Sequence, residues 1–401
     1  MRPDLLEAPT SIFQVFSIQV FIFVCLFFAL LYDVAELALF AIIIHTTGFV
    51  SYLWSRASLN HVKCKIALNR TRLFPGGKLK IDIWAINSKL LPILFKVNLF
   101  VPRAIAGSDT SQWISEEIGL LWYQQSVFSR EFFPNRRGVY DIGFPMLRVG
   151  DPFGFFFRNK EVKDRFEIIV YPRIVNIRPV TLPKREFYGT PGAWSPVEDP
   201  IFVFGTRDYQ PGRPSRRIHW KVSARHNRLQ EKLCEPAEQE KTLILLDVDQ
   251  FENEQAMEDF ERSLEVIASL VLQMNRRGIA VGFATNGNMP GRGSNIIPIS
   301  RSTRQIEFLL ESLARIGVNK VGLITNILAR GYQIPWGVSS IYFACNKCGQ
   351  FRSAMAFMRH RSIPVRFVLT QKSNDFEIID GLRKEDIFYL DDILVSENRK
   401  K

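Results

Sequence analysis

Cysteine and histidine are both scarce in this chain, with five of each in 401 residues. Cys25, Cys64, Cys234, Cys345 and Cys348 are odd in number and scattered, which excludes the disulfide framework of a small secreted domain and fits a reducing compartment. Cys345 and Cys348 have the spacing of a zinc half-site. No second pair exists and the next histidine is His360, so the four ligands of a tetrahedral site are not assembled. The chain also lacks a Walker A sequence, a G-x-S-x-G elbow and an H-E-x-x-H pair. Gly287 to Gly293 is glycine-rich but does not open a helix after a strand, so it reads as a flexible loop rather than a phosphate cradle. His219 and His226 stand beside arginines, and nothing in the sequence assembles them with an acid or a nucleophile. No nucleic-acid-binding motif is present.

Charge is missing altogether from Ile12 to Leu31, a run about one bilayer crossing long. Val34 to Trp54 follows after Tyr32 and Asp33, with its charge confined to Glu36 and one polar oddity at His45. The expectation is a transmembrane helical hairpin over residues 1–56. A cleaved signal peptide is disfavoured by the length of the first run and the absence of a small-residue cleavage site. Arg56, Lys63, Lys65, Arg70 and Arg72 crowd the exit of the second helix, whereas the turn carries Asp33 and Glu36. The positive-inside rule then puts both chain ends, and the bulk of the chain, in the cytoplasm of a multi-pass membrane protein. His45 reads as a polar residue facing the neighbouring helix. Elsewhere charge is plentiful and unbalanced: 52 Lys and Arg against 40 Asp and Glu give a net charge of +12. That favours anionic partners, whether a membrane surface, an acidic protein or nucleic acid. A hairpin at the bilayer already supplies one.

Residues 57–178 have period-two segments: VKCKIAL, KLKIDIWAIN, LFKVNLFV, VFSREFF, GVYDIGFPMLRV and FEIIVYP. Turn signals at Pro75-Gly76-Gly77 and Asn87-Ser88 separate the early ones, and only a weak helical pattern runs from Trp113 to Tyr123. This predicts an antiparallel β-sandwich. Gly138 and Gly154 are expected to supply turn conformations, and Asp151 to cap a turn through its side chain. A proline-rich linker, 179–204, leads to a basic segment at 205–240. From 241 to 375 strand-like runs (TLILLDVD, IAVGFATN, KVGLITNI, VSSIYFA, PVRFVLT) alternate with helical patterns at Phe260–Arg277, Thr303–Ile316 and about Gly349–Arg361. Such alternation predicts a doubly wound α/β domain with a mostly parallel sheet. Residues 376–401 read as a C-terminal tail.

The basic segment, GTRDYQPGRPSRRIHWKVSAR from Gly205 to Arg225, interleaves arginines with Tyr209, Ile218 and Trp220, which a merely solvating charge run does not. Its string R-x-Y-x-P-G-x-x-x-R-x-I-x-W-x-x-S-A-R, at Arg207, Tyr209, Pro211, Gly212, Arg216, Ile218, Trp220, Ser223, Ala224 and Arg225, resembles the signature of the bacterial domain-of-unknown-function family 58. Arg136 to Tyr140, Asp151 to Gly154 and Tyr171 to Arg173 resemble that family's upstream landmarks. The resemblance implies a membrane-anchored chain whose α/β domain is similar to a von Willebrand factor A domain. Such domains hold a divalent metal with Asp-x-Ser-x-Ser at the carboxyl end of the first strand. Only Asp247 matches here; Asp249 and Phe251 stand at the two serine positions, and Thr325-Asn326 follows a later strand where an acid is usual. Two carboxylates two residues apart are a possible oxygen site for Mg²⁺. Phe251 removes one hydroxyl ligand outright, so the expectation is a degenerate edge with no metal and no cofactor.

Family 58 members are often associated with MoxR-type AAA+ ATPases and are sometimes linked with transglutaminase-like membrane proteins. The function the resemblance implies is a non-enzymatic, membrane-anchored scaffold or adaptor that recruits protein partners in envelope processes. The alternatives are a hydrolase-like enzyme of envelope polymer processing, with the arginines on an anionic substrate, and a binder of anionic lipid or nucleic acid. Position predicts that Arg207, Arg216 and Arg225 pair with internal carboxylates and that Trp220 packs between the two domains. The competing expectation is an exposed anion site.

Overall fold

The computed structural model describes residues 16–107, 112–143, 145–162, 164–178, 198–210, 214–236, 240–249, 251, 254–291, 294–331, 334–335, 337–345, 349–370 and 386–394. They fall into two compact units, Met1–Tyr171 and Pro172–Lys401.

The first unit opens with two apolar helices that pack on each other, α1 (Phe16–Leu31) and α2 (Ala35–Ser58). Among the described residues one helix, α2, is long and apolar enough to cross a membrane by length and composition. The described part of α1 has 16 residues, and Ile12 to Val15 lie outside the described residues. Small side chains, Ala38 and Ala41 on α2 and Ala29 on α1, are buried, which lets two helix backbones approach closely.

Three sheets follow around one core. Strands β1 (Val62–Leu68), β3 (Leu79–Asn87) and β6 (Gln125–Phe132) form the first, in the order β1-β3-β6. The second is β2-β10-β7, from β2 (Arg72–Leu73), β7 (Gly138–Gly143) and β10 (Arg165–Val170). The third is β5-β4-β8-β9, from β4 (Ile93–Val101), β5 (Gln112–Leu120), β8 (Met146–Gly150) and β9 (Phe157–Glu161), with the single-turn helix α3 (Arg103–Ala106) between β4 and β5. Pairing is antiparallel except for β2 with β10. Alternation does what the sequence implies: Ile93, Phe95, Val97, Leu99 and Val101 of β4 all point into the core. A one-residue slip would turn this whole set to solvent, so the register is fixed by burial. The β-rich expectation holds, but the strands divide among three sheets rather than two, and Trp113–Tyr123 is mostly strand β5 instead of a weak helix.

Asp151 caps its turn as expected. Its carboxylate is fully buried and accepts backbone N–H bonds from Phe153 (3.1 Å), Phe155 (3.3 Å) and Phe156 (2.6 Å). Gly154 in that turn has φ +73°, a conformation costly for any residue with a Cβ.

The second unit begins with β11 (Glu198–Asp208), which pairs antiparallel with β12 (Gln230–Pro236). Between them lie a 3-10 turn, Ser215–Arg217, and α4 (Trp220–His226). The six-stranded sheet has the order β15-β14-β13-β16-β17-β18. Its strands are β13 (Lys241–Leu246), β14 (Ala280–Thr285), β15 (Ile296–Ser300), β16 (Val338–Ala344), β17 (Val365–Leu369) and β18 (Ile387–Tyr389). Helices α5 (Glu254–Arg276), α6 (Thr303–Arg315), α7 (Ile324–Gly331), α8 (Gly349–His360) and α9 (Leu390–Ile393) alternate with them. All pairs are parallel except β14 with β15. Every residue of β14 is buried, as a strand covered on both faces must be.

Several expectations need correction. The run KVGLITNI is not a strand: Lys320 makes an isolated bridge to Gly287, and α7 starts at Ile324. The strand at the sheet edge is instead β15, whose Pro298 an edge strand tolerates. It approaches β14 at a bulge where a Cβ on Gly282 would lie 2.6 Å from Ile299 Cγ1. The supposed linker ends in β11, and its residues 179–197 lie outside the described residues. The supposed tail supplies β18 and α9: Asp391 pairs with Arg262 at 2.5 Å and Leu394 bridges Ile177.

Candidate functional site

The basic segment is held by an acid outside the signature. Glu231, on β12 and 1% exposed, lies between Arg207 Nε (3.5 Å) and Arg217 Nη1 (3.5 Å). Ile218 is buried and bridges Glu231 through the backbone. His219 donates its N–H to the Gln230 carbonyl at 2.8 Å, and its Nδ1 caps α4 by accepting from Val222 N–H at 3.4 Å. Ser223, also buried, accepts from Gln230 N–H at 2.8 Å and donates to the His219 carbonyl at 3.0 Å. Tyr209 N–H donates to the Leu229 carbonyl at 2.9 Å. Asn227, at φ 56°, ends α4 in the left-handed region, which asparagine tolerates.

This frame presents the remainder outward. Trp220 is 67% exposed, and Arg216, Lys221, Arg225 and His226 are exposed as well. Within its own unit Trp220 is therefore not packed as expected, and internal pairing is not met for two of the three arginines among the described residues. Arg207 is anchored, whereas Arg216 and Arg225 make no ion pair among the described residues. On α4 itself Lys221 and Arg225 lie on the side opposite the inward-turned Ser223 and so face water, whereas Arg216 belongs to the preceding 3-10 turn. Gly212, together with Pro211 and Arg213, lies outside the described residues.

The second candidate is the carboxyl edge of the parallel sheet. The strand order reverses between β13 and β16, the switch point at which open α/β sheets place their ligands. Asp247 follows β13 there, 1% exposed. Its carboxylate accepts from Tyr342 Oη at 2.5 Å, from Asn286 Nδ2 at 2.7 Å and from Asp249 N–H at 3.1 Å. Asn286 Oδ1 in turn accepts from Val248 N–H at 2.8 Å. Asp249 is turned away and pairs with Lys320 at 2.8 Å. Phe251 is fully buried, its ring 5.5 Å from that of Phe260 on α5, so a core aromatic fills a ligand position. Thr325 and Asn326 sit in the first turn of α7, not after a strand, and neither is hydrogen-bonded to Asp247; the chain just before them reaches the edge through Lys320 to Asp249 and Val321 N–H to the Asn286 carbonyl. The edge asparagine is Asn286, next to the end of β14. Both oxygens of Asp247 are thus engaged by neutral donors, an arrangement suited to joining three strand ends rather than to receiving a cation.

Asn286 was within reach of sequence reasoning, because it ends the run IAVGFATN at the edge where sites lie. Tyr342 and Glu231 carried no such signal, since a buried polar residue inside a strand looks like any other position of its pattern. Among the described residues no group of three or more His, Cys, Asp or Glu is arranged to hold a metal ion. Cys345 is buried, and Cys348 lies outside the described residues. A cavity of about 270 Å³ in the first unit is lined by Ile22, Ile44, His45, Gly48, Tyr52 and Phe156 among others. His45 faces α1 there, with its ring centroid 6.5 Å from that of Phe23.

Residues 205–332 match the family described as protein of unknown function DUF58. The chain carries a DUF58 segment. That segment includes the whole signature, the Asp247 edge and helices α5 and α6. A relative, the uncharacterized protein YeaD of Bacillus subtilis (strain 168), is 24% identical over 251 residues. The match covers 62% of this chain and 60% of YeaD, so the chain spans less than two thirds of that relative's length. Among solved structures, the CARDB domain of a Pyrococcus furiosus protein with di-metal ions is similar at 14% identity and a TM-score of 0.21, over 28% of this chain and 96% of that one. A β-glucosidase from Listeria innocua with glucose is similar at 12% identity and a TM-score of 0.18, over 27% of this chain and 16% of that one. Likenesses this slight decide nothing about fold or activity.

Proposed function

We propose that this DUF58 chain is a membrane-anchored adaptor whose signature surface docks a protein partner. In this reading α1 and α2 form a two-pass hairpin with both chain ends in the cytoplasm, and the sheet of the second unit is a von Willebrand factor A-like domain whose metal position has been lost. The observation that carries the docking surface is Trp220: exposed, in a segment whose Arg216, Lys221 and Arg225 are exposed as well, and standing on a backbone locked by Glu231, Ser223 and Gln230. Tryptophan and arginine are the side chains richest in binding energy at protein interfaces, and a preordered support lowers the entropy lost on docking. The cations select a partner with an acidic face. The family resemblance brings one candidate, a MoxR-type AAA+ ATPase.

The test is binding of the purified MoxR-type ATPase of the same organism to the full-length chain in mild detergent. Wild type is expected to bind. Trp220→Ala is expected to lose about 30-fold or more in affinity, the size of an interface hot spot, at an unchanged melting temperature. Equal affinity of the two chains, or no binding by wild type, would overturn the proposal. Topology is tested separately by a reporter fused after Lys401, for which a cytoplasmic signal is expected and a periplasmic one contradicts the orientation.

A further inference from the structure

At the end of the β unit where α2 enters, two loops are tied to each other and to the helix, and a third packs against the helix. In loop 88–92, Lys89 Nζ donates to the last carbonyls of α2, those of Ala57 and Ser58, each at 2.6 Å. The Pro92 carbonyl accepts from Trp54 Nε1 at 2.8 Å. The buried Asn87 side chain donates to the Leu91 carbonyl (2.9 Å) and to that of Leu121 (2.8 Å), which joins this loop to loop 121–124. Tyr123 N–H closes the join on the Lys89 carbonyl at 3.1 Å. In the third loop, 151–156, Asp151 gathers three backbone N–H groups and Phe156 packs edge-on against Tyr52 of α2, with ring centroids 5.8 Å apart.

These ordered loops carry a surplus of apolar surface. Leu90, Leu121, Trp122, Tyr123 and Phe153 are each more than half exposed. An isolated exposed apolar residue needs no explanation, but five on adjoining loops that are pinned by buried polar side chains do. Helix length says what covers them. The 24 residues of α2 give roughly 36 Å. Its last turns are already occupied: Ser51, Ser55 and Ser58 are buried on one face, and Ser58 Oγ reaches the Val149 carbonyl of β8 at 3.2 Å. The stretch before Ser51 covers only about 24 Å, short of a hydrocarbon core of about 30 Å. A bilayer spanned by α2 therefore reaches the level of the three loops. Tryptophan and tyrosine favour that headgroup level, and Arg56, 6.0 Å from the Tyr52 ring centroid, adds a cation there.

Resting on the membrane-anchored reading above, we infer that loops 88–92, 121–124 and 151–156 form a rim that inserts Leu90, Trp122, Tyr123 and Phe153 into the headgroup region of the bilayer. The β unit is then seated on the membrane and not hung from it by a tether.

Tryptophan emission of the full-length chain in phosphatidylcholine–phosphatidylglycerol nanodiscs tests this, with lipids brominated near the top of the acyl chain as quencher. Wild type, Trp122→Phe, Phe153→Trp and Trp54→Phe are compared with and without bromine. The emission lost in Trp122→Phe is expected to be a quenched component, and the emission gained in Phe153→Trp is expected to be quenched as well. If either component is insensitive to bromine, the rim is overturned. Trp54→Phe reports α2 itself: quenching assigned to Trp54 without quenching at positions 122 and 153 rejects the rim and leaves the anchor standing. Quenching at none of the three positions rejects both. Positions 122 and 153 are exposed, so their variants fold, and the gain of signal at 153 does not depend on the loss at 122.

Discussion

Two buried acids of the second unit, Glu231 and Asp247, are equally hidden from water, and their neighbours differ. Glu231 lies between two arginines, each about a third exposed. Asp247 is held by a buried phenol, a buried amide and a half-buried backbone N–H, all neutral. The first arrangement uses charge to order a surface segment, and Trp220 and further cations of that segment stay exposed. The second spends its acceptor capacity inside the sheet and offers little to a ligand. The proposed docking surface therefore lies on the signature and not at the edge where α/β sheets usually bind.

The largest effect expected from breaking this comparison is at Glu231. Glu231→Ala leaves two arginines facing each other. The cost is about 3 kcal/mol, the lower end for a broken buried pair, because both arginines retain some solvent screening. Thermal denaturation should show a melting temperature lowered by several degrees. Next is Asp247→Asn, which keeps the shape but turns a donor toward Tyr342 or Asn286. One buried donor then lacks an acceptor, at about 1–3 kcal/mol, measurable by urea denaturation as a lower midpoint with unchanged slope. Millimolar Mg²⁺ should leave the wild-type melting temperature where it was, whereas a native-state binder would raise it by mass action. A saturable rise that disappears in Asp247→Ala would restore the metal reading.

A smaller effect is expected at Lys89. Burial lowers its pKa to about 8. Between about 8 and the ordinary lysine value near 10.4 the unfolded chain holds more protons than the folded one. Stability from this group is therefore fully present above that ordinary value and is lost as pH falls through about 8. The melting temperature of wild type relative to Lys89→Met should be higher at pH 9.5 than at pH 7. The negative end of α2 favours the ammonium and limits the size of the change.

How far the sequence foretold this architecture depended on the kind of signal. Alternation in LFKVNLFV and the continuous run TLILLDVD set both burial and partner faces, because pattern and packing say the same thing there. Asp151 was legible from its place beside Pro152 and Gly154. KVGLITNI was not, since a short apolar run with β-branched residues fits a helix as well as a strand; the edge position beside β14 is taken by β15. Within the signature, apolar bulk at Trp220 suggested burial. The residues that turn inward are Ser223 and Ile218, which meet β12, and β12 lies outside the motif. Glu231 was invisible for the same reason.

The measurement that bears most directly on the divided signature is a pair of melts on the full-length chain, Trp220→Ala beside Glu231→Ala. An exposed side chain away from any cap or pair is worth within about 0.5 kcal/mol, so the account predicts a wild-type melting temperature for Trp220→Ala and a clear fall for Glu231→Ala. A fall of several degrees in Trp220→Ala, or none in Glu231→Ala, would contradict it.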